Sequence, residues 1–160
     1  MTPLDRIDRQ ILHILQADNR IANIALAEKV GLSPAACSRR VARLRKDGII
    51  VRDVSIIDPT LIGPAVKVIV AATLAQRQAR LMEAFKQKML ARPEVVQCYQ
   101  TAGPIDFYVV AVLADVAAYS DFAVEVFAGD DNIGSYESWF VLEHVKNETR
   151  CPFLAGAPEG

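Results

Sequence analysis

The chain has 160 residues, of which 52% are hydrophobic, and a formal net charge of −1, so it is long enough for one domain or two small ones. No apolar run approaches the roughly 20 residues of a membrane span, and the charged N-terminus lacks the apolar region of a secretory signal, so we expect a cytoplasmic protein with no membrane partner. Its three widely spaced cysteines fit neither a disulfide framework nor a zinc site.

Charge is divided unevenly along the chain. Residues 1–58 carry 10 Lys and Arg against 7 Asp and Glu, whereas residues 59–160 carry 8 against 12. A basic first third followed by an acidic remainder indicates that any contact with nucleic acid is confined to the first third.

Apolar residues at helical spacing predict three helices in the first fifty residues. Leu4 to Gln16 has the pattern of an amphipathic helix. A second, short helix can end at Gly31 through a left-handed cap. Ser33 as N-cap and Pro34 in the first turn then begin a third helix, which runs to about Asp47.

The third helix has one apolar face, Cys37, Val41 and Leu44, which we expect to pack on the first two helices. Its other face combines small residues with long cations, as in a helix that approaches double-stranded DNA and reaches phosphates or guanine edges. A solvated charged face is the alternative. However, a short helix, a Gly-x-Ser turn and a basic second helix form the helix-turn-helix pattern. The candidate DNA contacts are Ser33, Ala35, Ser38, Arg39, Arg40, Arg43 and Lys46.

Within this set we assign two roles. Arg39, Ser38 and Ala35 are predicted to read bases, while Arg43, Arg40 and Lys46 are predicted to hold phosphate or shape the surface. After the helix, IIVRDVSIID alternates imperfectly between apolar and polar residues, which predicts a short ribbon or wing.

A linker is predicted next, because the turn signals Asp58-Pro59 and Gly63-Pro64 lie within six residues of each other. With the boundary near Leu61, the DNA-binding domain spans 1–60 and a second domain spans 61–160. The second domain reads βαββαβ, with strands at 66–74, 95–102, 106–113 and 136–145, a first helix ending before Pro93, and a second marked by Val116, Tyr119, Ala123 and Val126.

This element order predicts a ferredoxin-like sheet with both helices on one face, and hence an α+β protein with an N-terminal winged helix-turn-helix domain. The stretches FYVVAVL and SWFVLEHV have apolar residues at both odd and even positions, so apolar side chains would point to both faces of the sheet. The face without helices therefore needs a burial partner, because a monomer rarely exposes so large an apolar patch. A homodimer formed through the sheet is the economical solution.

Four stretches, LDRIDRQIL, LQADNR, LAEKVGLSPAACSRRVARL and IIDPTLIG, resemble the Lrp/AsnC family of bacterial and archaeal transcriptional regulators. The resemblance covers nearly the whole chain. It implies a sequence-specific DNA-binding regulator whose second domain dimerises through its sheet, often gathers into octamers, and binds small ligands, frequently amino acids, between dimers. No cofactor is implied. One departure is Asp53, where the family commonly carries an aromatic residue.

The resemblance also implies an effector site. The family's Gly-x-x-Asp-aromatic loop appears as GPIDF at 103–107, where backbone amides near Gly103 would hold a carboxylate and Asp106 an ammonium. Turn and core roles are the alternative for each of these residues. Pro104 departs from the polar residue of many relatives and removes an N–H donor. The candidates are Gly103, Pro104, Asp106, Val116, Phe140 and Val141.

Other chemistry has little support in the sequence. His13 and His144 lack partners at metal-ligand spacing, and neither a nucleophile elbow nor a phosphate-cradling glycine loop occurs, so we expect no metal and no enzyme. A basic, aromatic-rich strand for stacking RNA bases is also missing. Two alternatives stay open, namely an architectural protein that coats DNA with little sequence preference and an amino-acid-binding protein without promoter control.

Overall fold

The computed structural model describes residues 3–57, 61, 63 and 65–152. These residues form two compact units: one contains the chain up to Ile56 together with the segment from Lys146, and the other is Ile57–Val145. Within the described ranges, no helix has the length and apolarity needed to cross a bilayer.

The first unit contains three helices, α1 (Arg6–Leu15), α2 (Asn23–Lys29) and α3 (Pro34–Lys46), in the order predicted. Helix α1 begins two residues later than the apolar pattern indicates, because Asp5 and Asp8 cap it reciprocally. Asp5 Oδ1 accepts the Asp8 N–H at 2.8 Å, and Asp8 Oδ2 accepts the Asp5 N–H at 3.3 Å. Each carboxylate thus satisfies a backbone donor that the helix itself cannot pair.

The last described residues belong to the first unit, which the sequence analysis did not foresee. The side-chain amide of Gln16, at the end of α1, pairs with both backbone groups of Cys151: it accepts the N–H at 2.8 Å and donates to the carbonyl at 3.2 Å. The predicted boundary near Leu61 remains a prediction, and its turn residues Asp58, Pro59 and Pro64 lie outside the described residues.

No strand forms at 49–57, the described part of the predicted ribbon. Isolated extended segments leave their backbone groups unpaired, so alternation of apolar and polar residues does not by itself produce a strand. Val51 and Ile56 are largely exposed there. Arg45 Nη2 lies 3.0 Å from Asp53 Oδ2, so the carboxylate that replaces the family's common aromatic residue is paired with a cation.

The second unit is a four-stranded antiparallel sheet in the order β2-β3-β1-β4, with two helical segments. This is the predicted βαββαβ sequence. The elements are β1 (Val66–Leu74), α4 (Ala79–Leu90), β2 (Val95–Gln100), β3 (Phe107–Leu113), α5 (Val116–Ala123), a π-helical turn (Val124–Ala128) and β4 (Ile133–Phe140).

The core of this unit lies between the sheet and the helices. The rings of Phe85 on α4 and Phe107 on β3 are 4.6 Å apart. Because successive side chains of a strand point to opposite faces, alternate residues of the central strands enter this core. They are Val68, Val70, Ala72 and Leu74 on β1, and Phe107, Val109, Ala111 and Leu113 on β3.

Strand β4 differs from the prediction of 136–145. It pairs with β1 from Ile133 and ends at Phe140, opposite Val68, followed by one further bond from the Val141 N–H to the Lys67 carbonyl at 2.8 Å. The pairing of β4 with β1 therefore stops well short of Val145. The apolar residues beyond it are exposed, as Leu142 shows.

Within the described part of the second unit, both helical segments lie on one side of the sheet and leave its opposite face uncovered. The register places Ile69 beside Trp139, and Tyr108 beside Tyr99, on this open face. Trp139 is 48% exposed and Tyr108 is 37% exposed, whereas aromatic side chains of this size are usually buried. The open face is therefore an apolar surface of the kind that the sequence predicted.

Candidate functional site

The turn between α2 and α3 is tightly defined. Gly31 has φ +68°, a conformation that costs glycine little. The Leu32 N–H donates to the Ala27 carbonyl at 2.9 Å and the Gly31 N–H to the Glu28 carbonyl at 3.2 Å, which is the Schellman arrangement of a helix end. Since α3 starts two residues later, these bonds set its direction relative to α2.

The start of α3 is fixed by side chains as well. Ser33 Oγ accepts the Ala36 N–H at 3.3 Å, and Asn23 Nδ2 of α2 donates to the Pro34 carbonyl at 2.9 Å. Ser33 thus acts as the predicted N-cap, and the bond from Asn23 ties the two helices together where the first turn of α3 would meet DNA.

The predicted buried face of α3 is confirmed. Cys37 and Leu44 are inaccessible and Val41 is nearly so, and all three join the core formed with α1 and α2. Burial raises the pKa of the Cys37 thiol, which keeps it protonated and packed as a small apolar group.

The outer face of α3 presents Ala35, Ser38, Arg39, Ala42 and Lys46, all exposed. A helix of 13 residues is about 20 Å long, which is enough to lie along a stretch of major groove. The exposed set contains the three predicted base-reading residues. Their contact with bases remains a prediction.

Two of the predicted phosphate contacts have partners within the protein. Arg40 Nη1 lies 2.5 Å from Asp5 Oδ2 and 2.9 Å from Asp8 Oδ1, and Arg43 is paired with Asp8 Oδ2. Asp8 is inaccessible to solvent. Both guanidinium groups are thus held against the N-terminus of α1, and their contact with phosphate is a prediction that competes with these ion pairs.

These carboxylates were not among the residues predicted from the sequence. A signal for their capping role was present, because Asp5 and Asp8 have the spacing of a capping box. What the spacing could not reveal is that the same carboxylates also neutralise Arg40 and Arg43, since this depends on how α1 packs against α3.

The capping carboxylate makes the first unit sensitive to acid. The Asp8 N–H and the Arg40 guanidinium hold the pKa of Asp5 below its usual value. A carboxylate with a lowered folded-state pKa stabilises the fold above its unfolded value of about 3.9 and loses that effect as pH falls through the folded value. We expect Asp5→Asn, which still caps the helix, to unfold more easily than wild type at pH 7.

Hydrogen exchange of the α1 amides at a series of pH values measures this effect. The difference between Asp5→Asn and wild type should shrink as pH falls through the lowered folded-state pKa of Asp5, because the wild-type carboxylate then also becomes neutral. A difference that stays constant over the whole acid range would show that the charge of Asp5 is irrelevant.

In the second unit, the turn that matches the effector loop lies at one end of the sheet. Gly103 and Pro104 are exposed, whereas Asp106 is buried. The Asp106 N–H donates to the Ala72 carbonyl at 3.1 Å, and its carboxylate Oδ2 accepts the Leu74 N–H at 2.8 Å. Asp106 therefore fastens the turn to the end of β1.

The other effector candidates lie at the opposite end. Phe140 is opposite Val68, and the Val141 N–H bonds to Lys67. On β1, Lys67 is five residues from Ala72, whose carbonyl binds Asp106. At about 3.3 Å per residue, the candidates near Phe140 and those near Asp106 are therefore separated by roughly 16 Å. Val116 follows the end of β3 on the same side as Phe140. A single subunit does not bring the six candidates together around one small molecule.

Among the described residues, no group of three or more His, Cys, Asp or Glu side chains is placed to hold a metal ion.

Phe140 packs edge-on against Tyr119 with ring centroids 5.2 Å apart. This contact gives Phe140 a place at the edge of the core, which is the alternative that the sequence left open.

Comparison with known proteins gives matches to both units. Residues 4–51 match the family model for winged helix-turn-helix DNA-binding, and residues 67–151 match the Lrp/AsnC ligand binding domain. An uncharacterised HTH-type transcriptional regulator of Haemophilus influenzae is 35% identical over 93% of this chain and 89% of its own length. The leucine-responsive regulatory protein of Escherichia coli K12 is 32% identical over 92% and 90%.

Solved structures agree. An AsnC family transcriptional regulator from Agrobacterium tumefaciens superposes with a TM-score of 0.84 at 36% identity, covering 94% of this chain and 97% of its own. A transcriptional regulator from Neisseria meningitidis, in complex with L-Met, has a TM-score of 0.84 at 28% identity, with the same coverage. The similarity therefore extends over both units rather than over the DNA-binding motif alone.

Proposed function

This chain belongs to the Lrp/AsnC family of transcriptional regulators, a family of DNA-binding proteins rather than enzymes, and we propose that it reads DNA with α3 as a homodimer whose binding responds to a small metabolite. The observation that carries the proposal is the division of cations on α3. Arg40 and Arg43 are tied to α1, while Arg39 and Lys46 stand exposed on the face that the turn presents.

Reading of bases is assigned to Arg39. A long guanidinium flanked by Ser38 and Ala35 can approach a guanine edge closely and donate two parallel hydrogen bonds. Lys46, a point charge at the far end of the helix, suits a phosphate. The two residues should therefore differ in how their removal affects specific and random DNA.

We expect Arg39→Ala to weaken binding to preferred sites by about 10-fold or more and to weaken binding to random DNA much less. Lys46→Ala should weaken both equally and reduce the salt dependence by about one unit of slope. Selection of bound genomic fragments supplies the preferred sites, and fluorescence anisotropy at several salt concentrations measures both. Arg80→Ala, which removes an exposed charge from α4, is the control. An equal loss on both DNAs for Arg39→Ala would remove the base-reading assignment.

Pairing through the open face of the sheet is the second part of the proposal. Burying Trp139, Tyr108 and Tyr99 against the same face of a second copy removes apolar area from water on both sides. A two-fold dimer then presents two α3 helices to half-sites separated by whole helical turns. We extend the proposal to an octamer assembled from four such dimers and acting in the cytoplasm.

A site between subunits is the form of effector binding that the geometry favours. The candidates at the two ends of the sheet are roughly 16 Å apart. A single ligand can therefore contact both sets only if one subunit supplies one end of its sheet and a neighbouring subunit supplies the other end. The L-Met complex of the Neisseria relative supports an amino acid or a close analogue as the ligand. Calorimetric titration with an amino-acid panel tests sensing, and DNA binding with and without each compound tests coupling.

The architectural alternative makes a different prediction. Affinity for a preferred and a scrambled site would fall in parallel and remain equal at every salt concentration. A persistent difference between the two sites supports sequence-specific regulation.

A further inference from the structure

The carboxylate of Asp106 is already occupied. Oδ2 accepts the Leu74 N–H at 2.8 Å, Oδ1 lies 2.8 Å from Arg77 Nε, and only 5% of the side chain is exposed. A ligand ammonium needs an accessible carboxylate whose charge is not already balanced. To bind one, Asp106 would have to release Arg77 and become more exposed.

Arg77 presents its remaining donors at the same turn. Its Nε lies 2.8 Å from Asp106 Oδ1 as an ion-pair contact, and its Nη2 donates to the Pro104 carbonyl at 3.4 Å, yet 55% of the side chain is exposed. A guanidinium has five N–H donors. In the described part of the chain, the Nη1 pair has no acceptor, so the outer edge of the group is open beside Gly103 and Pro104.

The composition of the 103–106 turn also favours Arg77 as the group that binds an anion. Proline has no N–H, so Pro104 cannot contribute a backbone donor to an anion, and the exposed turn is left with fewer amides. Arg77 lies against this residue and offers the planar, two-pronged donor set that matches a carboxylate. The donor that the turn lacks is thus available from the loop after β1.

We propose that Arg77 is the carboxylate-binding residue of the effector site and that the site takes small monocarboxylic acids without requiring an α-ammonium group. This inference rests on the proposed effector site at the 103–106 turn. It adds to that proposal a recognising residue and a ligand class that includes 2-oxo acids as well as amino acids. Asp106 becomes the residue that positions Arg77.

Three matched compounds test separately how much the ligand's carboxylate and its ammonium contribute to binding. They are L-leucine, 4-methyl-2-oxopentanoate, which lacks the ammonium, and L-leucinamide, which lacks the carboxylate, and the corresponding methionine series repeats the comparison. Calorimetry with the full-length protein should give dissociation constants within about threefold for the acid and the oxo acid, and binding at least about 30-fold weaker for the amide. Tighter binding of the amide than of the oxo acid would overturn the inference.

Variants separate recognition from support of the turn. Arg77→Gln should weaken both carboxylates by at least about 10-fold, and Arg77→Lys by less, because it keeps the charge but not the fork. Asp106→Asn retains an acceptor for the Leu74 N–H but removes the charge that holds the guanidinium, so it should weaken binding of both carboxylates, though clearly less than Arg77→Gln does. Arg80→Gln is the surface control. Equal losses in Arg77→Gln and Asp106→Asn would show that the ion pair only supports the turn, which would overturn the inference.

Failure of this inference is distinct from failure of the proposed function. If none of the six compounds binds the wild type, the ligand class is wrong, while site-specific DNA binding by the same preparation still supports the regulator. If specific DNA binding is absent, the proposed function fails whatever the titrations show.

Discussion

Replacing Asp8 by Asn is expected to destabilise the first unit by about 2–3 kcal/mol. Asp8 is inaccessible and pairs with both Arg40 and Arg43, and the buried Nε of Arg43 already has no hydrogen-bond partner among the described residues. Removing one charge from a buried ion pair typically costs about 3–5 kcal/mol. We expect a smaller loss than this typical value because the two arginines are 29% and 34% exposed and recover some hydration when Asp8 is neutralised.

Hydrogen exchange of the α1 and α3 amides measures the loss directly, since the two units need not unfold together. Glu28→Gln, which removes an exposed carboxylate from α2, is the matched control and should change stability by no more than about 0.5 kcal/mol. A similarly small effect of Asp8→Asn would contradict the view that this carboxylate holds the recognition helix in place.

The same variant tests the two roles of the arginines. At a temperature where Asp8→Asn is folded, Arg40 and Arg43 have lost a partner and are free to reach phosphates. Affinity for random DNA and its salt slope should then rise. No change in either would indicate that the two arginines stay away from DNA even when released.

Tyr108→Glu is expected to separate the subunits and thereby weaken DNA binding by about 100-fold or more. Tyr108 lies at the start of β3 on the open face and is 37% exposed, so the substituted monomer can keep its carboxylate in water. In the proposed dimer this charge would be buried in the interface between the two sheets, which costs several kcal/mol. Loss of pairing removes the gain in affinity that two linked recognition helices provide.

Sedimentation velocity gives the oligomeric state, and anisotropy with a two-half-site DNA gives the affinity. Leu90→Glu, at an exposed apolar position on α4, adds the same charge to the helical side and should leave both quantities unchanged. If Tyr108→Glu keeps the wild-type sedimentation coefficient, the subunits do not pair through the open face.

The sequence was most informative where a local rule acts on a few neighbouring residues. Gly31, Ser33 and Pro34 define the turn and the start of α3, because a left-handed cap, a side-chain acceptor and a fixed φ act on adjacent residues. Strand β1 was predicted with its observed bounds, because Val66 to Leu74 is continuous and β-branched. The end of β4 was wrong, because the extent of its pairing with β1 depends on residues far away along the chain and not on the pattern within β4.

The candidate sites also contain some features that local sequence patterns predict and others that they do not. The exposed residues Ser38, Arg39 and Lys46 follow from helical spacing once Cys37, Val41 and Leu44 identify the buried side. Which cations have internal partners does not follow from spacing. The pairs of Arg40 with Asp8 and of Arg77 with Asp106 join residues 32 and 29 positions apart, so only the packed structure brings them together.

The sequence by itself determined the order of the elements, the buried face of the recognition helix, the apolar character of the sheet face and the family, because each depends on periodicity or on contiguous motifs. Only the tertiary structure decided which charges are neutralised: Asp8 is paired with Arg40 and Arg43, and Asp106 is paired with Arg77. The physical reason is that ion pairing depends on distance in space and on burial, and these are set by how helices and strands pack rather than by their order along the chain.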